Sequence, residues 1–299
     1  MKGYALLPGP LLARRTTMGL GGEALAEIRV TDAWATEDAL DRAESLALER
    51  GGRVVFLGRG SNLLVREGEL PLVVVSLALD TLFPLREEGE RVILRAGANA
   101  PLAGLLDHAA SLGLSGLEGL TGIPGSLGGA LVMNAGSFGV SMAEVVCGAG
   151  IWTRERGLWR AEKADLAFAY RLCRLARGGA EFLAVEVALE LSRDEPARVK
   201  ERMAAIFKRK RAEQPITARS AGCVFRNPHP EHPAGRLLEE AGLRGRRHGA
   251  MRFSPVHANF LINEGQGTFV QARELISMAR EAVKRRSGFD LELEAKIWA

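Results

Sequence analysis

Between Arg219 and Pro228 the chain reads RSAGCVFRNP, and its thiol, Cys223, stands between a glycine and the β-favouring pair Val224-Phe225. A thiol has a reference pKa of about 8.5, so at neutral pH it is mostly S–H and can give up a proton. A buried cysteine does something simpler, packing as a small hydrophobe. The flanking residues leave both readings of Cys223 open, whereas Cys147 and Cys173 are read as structural. Three cysteines without CxxC spacing make neither a disulfide framework nor a zinc site, and no metal-binding constellation stands out among the five histidines.

Two glycine loops carry the other chemical possibility. Gly58-Arg59-Gly60-Ser61-Asn62-Leu63 starts like a dinucleotide fingerprint, but position 63 is leucine where a third glycine belongs. The loop also leads into a strand pattern, whereas a Rossmann site needs a helix N-terminus for its pyrophosphate. Gly122-Ile-Pro-Gly-Ser-Leu-Gly-Gly129 is not a P-loop, since no GK[ST] follows. GRGSN reads either as an ordinary hairpin turn or as a nest of backbone N–H groups that binds an anion, helped by the Ser61 and Asn62 side chains. The second loop lies in Gly113–Gly139, where nine of 27 residues are glycine, none is lysine or arginine and one is acidic. Glycine-rich linkers are polar, and an apolar tract of this density means backbone lying against something flat or bulky. Together the loops point to a large phosphate-bearing cofactor lying between two domains.

The elements that must position these residues alternate. Ile28–Val30 reads as a strand; Thr36 reads as the N-cap of a helix that ends at Gly51-Gly52. Val54–Leu57, Leu63–Val65 and Val73–Leu77 follow as strands around GRGSN, then a strand at Arg91–Ala96 and a helix over Pro101–Leu112. Beyond the glycine tract, Glu181–Leu191 is a strand, Pro196–Glu213 a helix, Val270–Arg286 a long helix and Leu291–Trp298 a final strand. Domain seams are expected near residues 77 and 195, giving segments 1–77, 78–195 and 196–299, with strand 290–298 able to return to the cofactor-binding part.

At 299 residues with 47% apolar content, two or three domains with real cores are expected. The longest apolar runs are strand-sized, well short of the roughly 20 residues that span a bilayer. The N-terminal MKGYALLPGPLLARR is a poor signal peptide, and the cysteine usage fits a reducing, cytoplasmic setting. A net charge of +4, with 33 of 40 basic residues arginine, suits an anionic small molecule. Nucleic acid is disfavoured, because the basic clusters lack interleaved aromatics and the chain has two tyrosines.

The ordered set GRGSNLLV (58–65), GIPGSLGGALVMNAGSFG (122–139), FAYR (168–171), SAGCVFRNP (220–228), HANFLIN (257–263) and LELEAKI (291–297) resembles the bacterial UDP-N-acetylenolpyruvoylglucosamine reductase family, over residues 11 to 298. The resemblance implies an α+β chain: an FAD-binding fold of the vanillyl-alcohol oxidase type, made of two α+β subdomains, plus a C-terminal α/β substrate-binding domain. It implies reduction of UDP-N-acetylglucosamine enolpyruvate to UDP-N-acetylmuramate in cell-wall synthesis, with bound FAD and with NADPH as electron source. Residues implied to hold FAD are Gly58, Arg59, Gly60, Ser61, Asn62, Leu63, Thr121, Gly122, Ile123, Pro124, Gly125, Ser126, Gly129, Asn134 and Gly136. Arg171 matches the family's catalytic arginine, Glu294 its catalytic glutamate, and Cys223 stands where the family usually has a serine that protonates the substrate's C2. A thiol is the stronger acid and is competent for that step. Substrate contacts are implied for Tyr170, Arg211, Gln214, Asn227 and His257, with His257 read also as a structural hydrogen-bonder. Arg244, Arg246 and Arg247 read equally as diphosphate contacts or as solvated surface. The short path from Tyr170 to the Pro196 helix matches the family type without a tyrosine-bearing insertion, and a monomer without nucleic-acid or membrane partners is expected. The alternative is another FAD-dependent oxidase or dehydrogenase of the same fold, acting on a hydroxy acid or sugar lactone.

Overall fold

Val73, Val74 and Val75 are all buried, and consecutive β-branched residues hidden on both faces belong in the middle of a sheet. In the computed structural model, which describes residues 2–88 and 91–299, they lie in the strand Glu69–Leu77. This strand runs parallel to Arg53–Leu57, with Val54 opposite Val73, and neighbours Glu23–Val30 on its other side. Tyr4–Pro8 completes the four-stranded sheet, antiparallel to Glu23–Val30 with Tyr4 opposite Val30. The helix Thr36–Glu49 buries Ala39, Leu40, Ala43, Leu46 and Ala47, the helical spacing of one apolar face. Thr36 is not its N-cap. A 3-10 turn at Ala33–Ala35 leads straight into the helix, so no extended cap residue precedes it, and the Thr36 hydroxyl donates to the Ala33 carbonyl at 2.7 Å.

A second sheet is antiparallel throughout. The strand Leu183–Arg193 is its axis, flanked by Val146–Thr153 and Arg91–Gly97; Gly157–Glu162 and Arg86–Glu88 lie beyond these, and Leu114–Ser115 pairs with the axial strand's end. Past its end the helix Pro196–Glu213 is tied back through a charged knot. Arg202 donates to Glu118 at 2.7 and 3.0 Å and to Asp194 at 2.6 Å, while Glu118 also accepts from the Gly116 N–H at 2.7 Å and the Ser115 hydroxyl at 2.9 Å. Burial pushes the Glu118 carboxyl up, but those hydrogen bonds outweigh it and hold the group below the usual glutamate value. A depressed carboxyl stabilises the fold above its ordinary range, and the contribution is lost as the pH falls through the folded value. Glu118→Gln is therefore expected to cost about 1–2 kcal/mol at neutral pH. Its deficit should shrink as urea unfolding is repeated towards about pH 3; a deficit that stays constant would show that the carboxylate charge contributes nothing.

The chain folds as two compact units, each assembled from separated stretches of sequence. The first comprises the N-terminal strand as far as Pro8, Ala26–Arg59 and Leu72–Arg209; the second comprises Gly9–Leu25, Gly60–Pro71 and Lys210–Ala299. In the second unit a four-stranded antiparallel sheet follows the order Ser220–Cys223, Phe260–Asn263, Met251–Phe253, Arg247–His248. The helix Phe269–Ser287 starts from a capping box of Thr268 and Gln271 and stops at Gly288 in the left-handed conformation (φ 77°). Its buried residues join Phe225, Phe253, Leu237 and Leu238 in one core, together with Met18, Leu20 and Leu64 from the early segments.

The final strand is shorter than its apolar pattern suggests. Only Lys296–Trp298 is regular, paired in parallel with Leu63–Val65. Leu293 instead bridges Phe225, so the stretch before it crosses to a different partner. Among the described residues, no helix is long and apolar enough to cross a membrane.

Candidate active site

GRGSN is not a hairpin turn. The strands before and after it, Arg53–Leu57 and Leu63–Val65, pair with other strands and not with each other. Gly58 instead lies against the second glycine loop: a Cβ there would fall 2.7 Å from Ser126 Oγ. Gly60 (φ 64°) would place a Cβ 2.0 Å from the Arg15 carbonyl, a conformation and a space that only glycine fits. In the second loop Gly122, Pro124 and Gly129 are exposed while Ile123 and Gly125 are half-buried, so an apolar backbone with few side chains faces outward. Ser126 caps the short helix Leu127–Val132 by accepting from the Gly129 N–H at 3.3 Å, which aims its hydroxyl proton elsewhere. Close glycine contact, open apolar backbone and a hydroxyl donor fit a flat, phosphate-bearing cofactor such as FAD.

Arg171 is positioned by an antiparallel hairpin, Leu166–Ala169 with Leu172–Leu175, whose two-residue turn is Tyr170-Arg171. Its φ of 56° lies in the left-handed region that non-glycine residues avoid, a cost of order 1–3 kcal/mol that clusters at functional sites. Two supports hold it there. The guanidinium donates from Nη1 to the Gly136 carbonyl at 2.9 Å and lies 5.3 Å from the centroid of the exposed Tyr170 ring. Asn134, itself at φ 39°, donates to the Ala169 carbonyl at 2.9 Å and accepts from the Ala143 N–H at 3.0 Å. Asn134 and Gly136, which the resemblance implies for cofactor binding, thus anchor the arginine hairpin.

In the second unit the segments 223–226 and 292–295 run side by side. The Val224 carbonyl accepts from the Glu294 N–H at 2.8 Å, and the Arg226 N–H donates to the Glu292 carbonyl at 2.9 Å. Glu294 is thereby set one step along the ladder from Cys223. Alternation along a regular strand would not distinguish Glu292 from Glu294, but the two differ here: Glu292 is exposed and Glu294 half-buried. Asn62 joins the same group, its amide donating to the Glu294 carbonyl at 3.1 Å while its own carbonyl accepts from the Lys296 N–H at 3.0 Å. Gly222 (φ 77°) lies in the register shift between Ser220 and Cys223, within that strand. Cys223 is half-buried, unlike Cys173, whose thiol burial pushes up to about 12.

Sequence reasoning missed Asn259. It is 2% exposed, its side chain accepts from the Phe225 N–H at 2.9 Å and donates to the Phe225 carbonyl at 2.8 Å, and its carbonyl accepts from the Val224 N–H at 2.8 Å. An asparagine between apolar strand residues is the one signal that marked it. Asn259→Ala is expected to cost about 2–4 kcal/mol, because it strands two buried backbone groups. Denaturant unfolding checks this, and an unchanged midpoint would remove Asn259 as the clamp. Asn263, also buried, similarly ties its loop to the Met18 carbonyl at 3.0 Å.

The other expected substrate residues are distributed unevenly. Asn227 Oδ1 accepts from the Ala234 N–H at 3.0 Å, at the start of the helix Ala234–Glu240. Nδ1 of His257 accepts from the Asn259 N–H at 3.2 Å, and burial pushes this imidazole below its ordinary value. That is the structural hydrogen-bonding role. Arg211 is exposed in the last turn of the helix Pro196–Glu213, with Gln214 half-buried just past it. Arg244 pairs with Glu239 at 2.6 Å and Arg247 with Glu264 at 2.5 Å.

Comparison with known proteins identifies the family. Residues 29–160 match a family model described as an FAD binding domain, and residues 214–298 match the C-terminal domain of UDP-N-acetylenolpyruvoylglucosamine reductase. The chain is 48% identical to the UDP-N-acetylenolpyruvoylglucosamine reductase of Nitratidesulfovibrio vulgaris over 98% of both chains. It is 40% identical to that of Moorella thermoacetica over 96% of this chain and 91% of that one. The crystal structure of the Thermus caldophilus enzyme superposes with a TM-score of 0.80 at 33% identity, covering 99% of each chain. With its glycine loops suited to a flavin and its Cys–Glu ladder, the chain belongs to the UDP-N-acetylenolpyruvoylglucosamine reductase family and is an FAD-dependent oxidoreductase.

Proposed function

We propose that the chain reduces UDP-N-acetylglucosamine enolpyruvate to UDP-N-acetylmuramate for peptidoglycan synthesis, with NADPH as reductant and Cys223 as the acid that completes the reaction. Bound FAD would supply the hydride chemistry that links NADPH to the terminal carbon of the enolpyruvyl group. Gly58 to Leu63 and Thr121 to Ser126, with Gly129, Asn134 and Gly136, are the residues that would hold it. The remaining work falls to the protein. Hydride addition leaves negative charge at C2, spread into the adjacent carboxylate. Arg171, permanently charged and planar, suits two parallel hydrogen bonds to that carboxylate. Cys223 gives its S–H proton to C2 and recovers one from solvent. Glu294 polarises the enolpyruvyl system or relays that proton. Tyr170, Arg211, Gln214, Asn227 and His257 contact the sugar nucleotide. The FAD-binding part takes in residues 1–77 and 78–195, and the substrate domain 196–299. A reduced thiol and a nucleotide-sugar substrate favour the cytoplasm.

The observation that carries this reading is the ladder placing Glu294 beside the Cys223–Arg226 segment. Anaerobic NADPH should bleach the flavin of the purified protein, and the UDP-enolpyruvyl sugar should restore its colour. Flavin that a hydroxy acid or sugar lactone bleaches, and whose colour the UDP-enolpyruvyl sugar does not restore, would point to an oxidase of the same fold instead.

A further inference from the structure

Among the described residues, one further group of side chains brings metal-ligating atoms together. His229, Glu231 and His232 each offer a ligand atom, and all three atoms lie within 4.8 Å of one another. Spacing along the chain did not suggest this, because His229 and His232 face each other only through a tight turn. The His232 N–H donates to the His229 carbonyl at 3.1 Å, and the two residues form an isolated antiparallel bridge.

We propose that this turn is a surface site for a first-row transition ion, with Zn2+ the best match. Two imidazoles and one carboxylate are a donor set that zinc takes readily, leaving a further position for water. Zinc bonds of about 2.0–2.2 Å put neighbouring ligand atoms roughly 3.3 Å apart, so the three donors need to close by no more than about 1.5 Å. All three side chains are exposed, and His229 and Glu231 can turn towards the seated His232 ring at little cost in water. Nδ1 of His229 already faces inward, accepting from the Glu231 N–H at 3.2 Å and lying 4.0 Å from the Glu231 carboxylate. On binding, the metal replaces that N–H as the partner of the lone pair.

Two features pre-organise the turn. Pro228, Pro230 and Pro233 restrict its backbone, so little entropy remains to be lost. The His232 ring is seated 5.0 Å from the Phe289 ring, which limits its rotation. The ion would cross-link the stretch between Asn227 and the helix Ala234–Glu240, whose first turn Asn227 supports. Binding to the folded chain alone raises its stability by mass action.

The test is calorimetric titration of ZnCl2 into the tag-free holoenzyme, with Co2+ as a spectroscopic stand-in. A single equivalent should bind, Co2+ should give visible ligand-field bands, and the melting temperature should rise with metal. His229→Ala and His232→Ala should each weaken binding by about tenfold or more, and Glu231→Gln by less. All three positions are exposed, so the variants should melt like the parent protein when metal is absent. The proposal fails if no heat beyond dilution is seen, or if the doubly substituted protein binds as tightly as the parent. It fails equally if binding survives the histidine substitutions and is lost in Cys223→Ser, which would place the ion on the thiol.

Discussion

Cys223→Ala should leave bleaching of the flavin by NADPH unchanged and slow turnover of the enolpyruvyl substrate by about 10²–10⁴, the usual worth of a positioned general acid. The two half-reactions separate because the thiol is needed only after hydride has reached the substrate. Cys223→Ser should retain activity to within roughly tenfold, since a hydroxyl can make the same transfer from a weaker acid. The site can accommodate the change: position 223 is half-buried at a strand end, after a left-handed glycine that loosens the ladder. Stopped-flow reoxidation by the UDP-enolpyruvyl sugar reads the step directly. Normal reoxidation of Cys223→Ala would assign the proton to another donor. Alkylation should follow the same logic, inactivating the parent enzyme and sparing the serine variant, while Cys173, buried and with its thiol pushed up to about 12, stays unmodified.

Arg171→Gly should lower the rate of substrate reduction by about 10²–10³, as removal of one preorganised donor to developing charge does elsewhere. Its stability should barely change, and that contrast carries the weight of the test. The substitution loses the hydrogen bond to Gly136, worth about 1 kcal/mol, but relieves a left-handed backbone whose cost is of the same order. A residue kept only to hold the hairpin would show the reverse, a clear loss of stability with ordinary turnover. Arg171→Lys should recover little, because an ammonium is a point charge and cannot make the paired, planar contact. Equal kcat values for the parent and the glycine variant would remove Arg171 from the chemistry.

Much of this was legible in residue pattern. The helix Phe269–Ser287 advertised itself through apolar periodicity closed by Gly288, and the two glycine loops stood out because apolar context and glycine density conflict unless the backbone serves a surface. Thr36 misled because Thr followed by Glu and Asp is a cap pattern, while the 3-10 turn before it depends on Asp32 to Ala35 adopting a shape that pattern does not encode. The final strand misled because alternation persists through residues 291–295 although their hydrogen bonds go to Val224 and Arg226 and not to a long regular partner. Asn259 and the His229–His232 turn escaped for a common reason. Their meaning lies in contacts made across the fold or across a tight turn, and a linear reading weighs residues by their neighbours in the chain.

The second unit's core draws Met18, Leu20 and Leu64 from the beginning of the polypeptide, and its last strand, Lys296–Trp298, lies alongside Leu63–Val65. On a ribosome those early segments emerge long before their partners and must wait, apolar side chains uncovered, until residues 296–298 have been made. Completion of this half is thus deferred until Lys296–Trp298 has been made. A nascent chain truncated before residue 296 should accordingly depend on chaperones far more than one that includes Lys296–Trp298.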